Sequence, residues 1–272
     1  MVTLDMEEMV AVRQLSRRSK VRRRFLAAHA KRDINSSLEI GALNVPTLLP
    51  GECDSRFLDW FSTDHLRARH KDNPVVPPDT IVPIDYVVAD TNFASQVDRT
   101  FDLLIANHVI EHVADMIGWF DQLEQLSKPG GYLFLAVPDR RYTFDYFRPE
   151  HDAVDIVRAH EDGLDRPSRF QIAKHLYYFT NVTHKQIWAG EVPEEFVPRM
   201  TFAEALEKSE SLAEGYADVH CWIFTRETFE RTMDALFAAG HIGWSVAAIE
   251  GCLLYTSPSP RDATLSRMPS SA

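Results

Sequence analysis

The chain has 272 residues, 45% apolar and 25% charged, with a formal net charge of −11; this excludes collagen-like, wholly disordered and disulfide-scaffold proteins. The charge is uneven: residues 1–32 carry nine Lys/Arg against three acids, and the other 240 carry 20 basic against 37 acidic side chains. A body so acidic does not suit a protein that grips a phosphate backbone, so nucleic acid is not an expected partner.

Residues 1–35 read as a basic helical segment. Met6, Met9, Val10, Val21, Phe25 and Leu26 form a thin apolar stripe. Arg17, Arg18, Lys20, Arg22, Arg23 and Arg24 either cover a solvated face or hold an anionic partner. Short apolar runs follow at Ser37–Ile40, Arg56–Trp60, Thr80–Val88, Phe101–Ala106, Tyr132–Val137 and Trp244–Ile249. Pro83 pushes the third towards an edge or an early strand position. Helical periodicity covers Asp115–Ser127, which stops before Lys128-Pro129-Gly130-Gly131, and Arg226–Ala239, which stops at Gly240. Strands alternating with helices predict an α/β fold: a mostly parallel, three-layer sheet over residues 36–252. Residues 139–220 interrupt it as a substrate-side, mainly helical insertion. No apolar run approaches the ~20 residues that span a bilayer. Cys53, Cys221 and Cys252 form no CxxC pair, so neither a zinc knuckle nor a disulfide framework is signalled. A cytoplasmic setting is expected.

Ligands of such sheets bind beyond the carboxyl ends of the strands. The first strand ends at Gly41, where a side chain would obstruct both the turn and a ligand. The segment is not GxGxxG, and Pro46 and Pro50 argue against a helix N-terminus that would hold a pyrophosphate. Asp59 lies 18 residues further on, at the second strand end, where an acid can accept both hydroxyls of a ribose. Asp90, after the third run, can accept from an exocyclic adenine amine. Glycine, ribose acid and adenine acid without a phosphate clamp suit S-adenosylmethionine better than NAD or ATP.

Three motifs then carry a resemblance: Leu38-Glu-Ile-Gly41, Phe101-Asp-Leu-Leu-Ile-Ala-Asn-His-Val-Ile-Glu-His112, and Leu126-Ser-Lys-Pro-Gly-Gly131 followed by Leu133-Phe-Leu-Ala-Val-Pro138. Together they resemble class I, Rossmann-like SAM-dependent methyltransferases of the small-molecule type. The resemblance implies that Glu39, Gly41 and Ala42 sit by the methionine part of the cofactor, with Asp59 by the ribose and Asp90 by the adenine. Asn107 and His108 would line the cofactor and substrate cleft. The family's usual second glycine is Leu43 here, and the first helix is shortened or missing.

His108-Val-Ile-Glu111-His112 also fits the inverted zinc-protease pattern H-x-x-E-H. That reading needs both imidazoles on one face of a helix. A buried strand directly before and a Pro-Gly-Gly turn soon after argue against it, and no metal is expected. His112 and His108 are instead candidate catalytic bases or substrate-positioning groups, against a purely structural role. Arg140, Arg141 and Tyr142 open the insertion and are candidate substrate contacts, for an anionic group and for a ring or sugar. The implied reaction is methyl transfer from S-adenosylmethionine to a small-molecule or glycan acceptor, at oxygen. The rival is a non-catalytic SAM-binding or partner-binding protein on the same fold.

Residues 253–272 read as a disordered tail. The string Leu-Tyr-Thr-Ser-Pro-Ser-Pro-Arg-Asp-Ala-Thr-Leu-Ser-Arg-Met-Pro-Ser-Ser-Ala also resembles translated adapter read-through from metagenomic reading frames, and is set aside from the fold. The native chain is then expected to stop near Gly251, with the last strand of the sheet missing.

Overall fold

Phe101–Asn107 is buried at every residue, and it forms the middle of the sheet. The computed structural model describes residues 17–252 and 262–269. Within them the chain runs α1 (Arg17–His29), β1 (Ser37–Ile40), β2 (Ser55–Asp59), α2 (Thr63–Arg69), β3 (Tyr86–Val87) and β4 (Phe101–Asn107). It continues through α3 (Met116–Leu126), β5 (Ser127–Val137), α4 (Ala153–Glu161), α5 (Arg169–Tyr178), α6 (His184–Ala189) and α7 (Phe202–Leu212). It ends with α8 (Arg226–Ala238), β6 (Trp244–Cys252) and β7 (Asp262–Pro269). The strand order is β3-β2-β1-β4-β5-β7-β6. Strands β1 to β5 pair in parallel, and β7 is antiparallel to both its neighbours.

Alternation along the strands makes the layers. Leu103, Ile105, Phe134 and Ala136 pack on one face against Phe25 and Leu26 of α1. Leu104, Leu133 and Leu135 pack on the other, against Ile117, Phe120 and Leu123 of α3 and Phe229 and Met233 of α8. Each such buried large side chain contributes about 1.5–3 kcal/mol relative to exposure. The basic first helix is therefore a structural layer. Its Arg23 makes a bidentate pair with Glu52 at 2.7 and 2.8 Å, and Arg22 donates to the Val45 carbonyl. Residues 1–16 lie outside the described residues.

The expected elements appear with adjusted ends. The Thr80–Val88 run contracts to Tyr86–Val87, because Pro77, Pro78 and Pro83 remove ladder donors and a 3-10 turn takes Pro78–Thr80. Between β1 and β2 there is a short 3-10 turn at Glu52–Asp54 and no α-helix. Residues 139–220 carry α4 to α7. The C-terminal edge departs from expectation. Asp262–Pro269, read from composition as part of a disordered tail, is placed as β7 between β5 and β6. Ladder pairing uses backbone N–H and C=O groups, and a strand between β5 and β6 satisfies the facing edges of both. Side-chain composition is a weak guide to such a position. Residues 253–261 and 270–272 lie outside the described residues.

A buried acid in β4 ties the segment leading into β1 to the start of β5. Asp102 accepts from the Asn35 and Ser36 amides at 3.2 and 3.0 Å, from Ser36 Oγ at 2.9 Å and from Lys128 Nζ at 3.0 Å. Asp102→Ala strands these donors. It is expected to lower the unfolding free energy by about 2–3 kcal/mol in urea titration.

Candidate functional site

The order of strands reverses between β1 and β4, and the connections on either side leave in opposite directions. A crevice opens there, beyond the carboxyl ends. It is a cleft of about 590 Å³. Ile40 and Gly41 come from the end of β1, and Leu58, Asp59 and Trp60 from the end of β2. Val88 and Thr91–Phe93 follow β3, and His108, Val109 and His112–Ala114 follow β4. Asp115, Gly118, Trp119 and Gln122 belong to the start of α3. Leu164–Pro167, Tyr216 and Asp218 close the far side from the insertion.

Local sequence explains the shape of the floor. Gly41 has φ +65°, and a Cβ there would lie 3.2 Å from Val109 Cγ2. Glycine is needed both for the turn and for the approach of the two loops. Leu43 is left-handed too, at φ 48°. A leucine in this conformation carries local strain. His108, with φ 56°, is a third left-handed residue, directly after β4. Such strain in a non-glycine residue at a cleft is characteristic of functional positions. Ile110 is buried and anchors the 3-10 turn Ile110–His112 behind it. The Asp115 side chain then accepts from the Gly118 amide at 3.0 Å and starts α3, while its carboxylate also meets His160 Nδ1 of α4 at 3.0 Å. The rim of the cleft is thereby pinned to the insertion.

Of the residues expected at the site, the structure brings Gly41, Asp59, His108 and His112 together on the cleft wall. Asp59 accepts from the Phe61 amide at 3.0 Å, and burial pushes its carboxyl pKa up. His108 Nδ1 stands 3.4 Å from Glu111 Oε1. His112 Nδ1 stands 2.8 Å from Asp218 Oδ1. Burial opposes the charge on His112, but Asp218 and Glu111 outweigh it and its pKa is raised.

The remaining expected residues lie elsewhere. Glu39, Ala42 and Asn107 are buried and off the cleft wall. Glu39 accepts from the Thr47 amide at 2.7 Å, from Thr47 Oγ1 at 3.1 Å and from Asn107 Nδ2 at 2.8 Å. These bonds fasten the loop after β1 to the end of β4. Asp90 is exposed beside the lining residue Thr91, and its side chain accepts from the Asn92 amide and Gln96 Nε2. Arg140 pairs with Glu150, and Arg141 with the fully buried Asp139 and with Glu227. Tyr142 stacks on Trp188 at 5.1 Å, with the planes 7° apart. Both guanidiniums are thus committed within the protein, and none of the three lines the cleft.

Sequence reasoning did not pick out Trp119, Gln122, Tyr216 and Asp218. Trp119 and Gln122 were legible as the first turns of α3, which begins at the strand-four loop. Tyr216 and Asp218 carry no local signal, because their place depends on where the insertion returns.

Burial pushes the pKa of Glu39 up to about 7, against the pull of Thr47 and the charge of Arg22. A carboxyl raised in the folded state stabilises the fold fully below its unfolded value near 4.5, and that contribution is lost as pH rises through about 7. Glu39→Gln removes the dependence. The stability difference between variant and wild type should therefore change by on the order of 3 kcal/mol between pH 4.5 and 8. Parallel melting curves across that range would exclude this account.

A family match, the methyltransferase domain, covers residues 23–191. Over 59 residues, 22% of this chain, the sequence is 32% identical to a ubiquinone biosynthesis O-methyltransferase of Rhizobium etli (strain CIAT 652). That stretch is 24% of the relative, so the match spans about a quarter of its length. The magnesium protoporphyrin IX methyltransferase of Synechocystis PCC 6803, solved with bound S-adenosylhomocysteine, is 9% identical with a TM-score of 0.40. That alignment covers 99% of this chain and 90% of that one. A SAM-dependent methyltransferase of Methanosarcina mazei is 15% identical with a TM-score of 0.42, over 90% of this chain and 96% of that one.

Proposed function

Because this chain belongs to the methyltransferase-domain family, we propose that it transfers the methyl group of S-adenosylmethionine to an oxygen of a small-molecule or glycan acceptor. The observation that carries the reading is the meeting of Gly41, Asp59 and His108 on one cleft, at the strand-order reversal. The O-methyltransferase match of residues in this chain supports oxygen.

S-adenosylmethionine, when bound, supplies an electrophilic methyl group on a sulfonium whose leaving product is a neutral thioether. The chain then has three tasks. Gly41 offers backbone without a side chain, and the crowding of its missing Cβ by Val109 fits a cradle for a closely held ligand. Asp59, at the end of β2, accepts hydrogen bonds from ribose hydroxyls. Val88, Phe93 and Trp119 provide apolar walls for an adenine, with Asn92 and Gln122 as its polar contacts. His108 would take the proton of an acceptor hydroxyl as that oxygen accepts the methyl group. The Glu111 carboxylate beside its Nδ1 orients that imidazole. The remaining work is alignment, since an in-line displacement gains chiefly from held geometry. The far side of the cleft, from Leu164–Pro167 and Tyr216, is where the acceptor would enter.

Calorimetric titration with S-adenosylhomocysteine should show one site per chain. Asp59→Ala should weaken that binding about 10–100-fold through the lost charged hydrogen bonds. His108→Gln should keep the affinity and lower kcat by about 10²–10⁴-fold on an accepted hydroxyl substrate. Absence of any binding would overturn the cofactor assignment. Binding without turnover across a broad acceptor screen would favour the non-catalytic reading.

A further inference from the structure

The turn after β4 and the segment that returns from the insertion meet in a polar cluster behind the cleft wall. Cys221 N donates to the Glu111 carbonyl at 2.6 Å, which brings His220 against Glu111 and His112. The two imidazoles stand edge to face with centroids 4.8 Å apart, at 89°. Each has a carboxylate on its Nδ1: Asp218 at 2.8 Å from His112, and Asp145 at 2.6 Å from His220. The Asp145 hydrogen bond fixes the His220 tautomer and leaves its other nitrogen as a lone-pair donor, the arrangement that backs metal-binding histidines, while Asp218 stands in ion-pair contact with His112. Glu111 is 1% exposed, and its Oε2 has no hydrogen-bond partner among the described residues. An orphaned carboxylate oxygen buried to that degree is costly unless something positive meets it.

We propose that Glu111, His112 and His220 form a binding site for one first-row divalent transition cation, with Asp218 and Asp145 as the groups that orient the two histidines. One donor atom from each of the three residues lies within 4.8 Å of the others. Bonds of about 2.0–2.2 Å to a tetrahedral cation need donors roughly 3.3–3.6 Å apart, so loading draws the side chains inward by about 1 Å. Two imidazole nitrogens and one carboxylate oxygen select zinc, iron, cobalt or nickel over magnesium and calcium, which favour oxygen alone. The charge balance agrees. Glu111, Asp145 and Asp218 face one buried guanidinium, Arg148, which donates to the His220 carbonyl at 2.7 Å and lies 3.5 Å from Asp145. The carboxylates outnumber that buried guanidinium, which favours a cation over an anion. Three protein donors are also the number found where a cation keeps a place for water or a substrate atom. The site differs from the H-x-x-E-H reading of the sequence. His108 belongs to the cleft and faces Glu111 Oε1, and the second imidazole comes from His220.

The test uses the untagged full chain, stripped with a chelator, dialysed and titrated with Co²⁺. The expected result is one equivalent bound, with visible d–d absorption that Zn²⁺ displaces. X-ray absorption on the zinc-loaded wild type should resolve two imidazole ligands. Glu111→Gln and His220→Gln should each weaken binding by about 100-fold or more, and Asp145→Asn by about 10–100-fold. Binding of S-adenosylhomocysteine, read by calorimetry, should persist in all three and exclude misfolding as the cause. Uptake of under about one-fifth of an equivalent by the wild type, a zinc spectrum with fewer than two imidazoles, or wild-type affinity in Glu111→Gln would each overturn the site.

Discussion

The reversal of strand order between β1 and β4 is the constraint on which the rest depends. Parallel strands need crossovers, and right-handed crossovers leave in opposite directions on the two sides of a reversal. Nothing fills the crevice that results, so the loops after both strands must build its walls. The backbone there is accordingly unusual: Gly41, Leu43 and His108 are all left-handed. Glu39, Thr47 and Asn107 hold the two loops together from below, through a carboxyl whose burial keeps it near neutrality at physiological pH. The cleft is thus cut by topology and kept open by one buried hydrogen-bonded group.

A second buried polar layer lies behind the cleft. Glu111, His112, His220, Asp145 and Arg148 join the strand-four turn to the insertion, where an apolar contact would have sufficed for stability alone. Burial and the neighbouring Arg148 push the pKa of His175 down to about 4 and that of His151 to about 3, so both are neutral imidazoles within the network. Polar interiors of this kind are tolerable only when their members satisfy one another. Glu111 Oε2, unpartnered among the described residues, marks where the network is completed from outside.

The insertion takes a different part from the one its sequence suggests. Arg140, Arg141 and Tyr142 have the chemistry of a substrate grip, yet they neutralise Glu150 and the buried Asp139 and stack on Trp188. A guanidinium beside a buried carboxylate stabilises more by pairing with it than by waiting for an anion. What the insertion offers the cleft comes from its turns, at Leu164–Pro167, and from its return path, at Tyr216 and Asp218.

The sequence by itself determined the α/β class, the parallel core strands and the glycine and acid at the ends of β1 and β2. Those are properties of period, backbone freedom and position along one strand, and each is local. It also supported placing His108 and His112 after β4, because a buried strand must end before its loop begins. Only the tertiary structure decided that Glu39 and Asn107 face each other rather than the cleft, and that His220 stands against His112. It also places Asp262–Pro269 beside β5 and β6. These facts rest on contacts between segments tens to more than a hundred residues apart, or on backbone pairing that side chains do not encode. No window of sequence contains both partners.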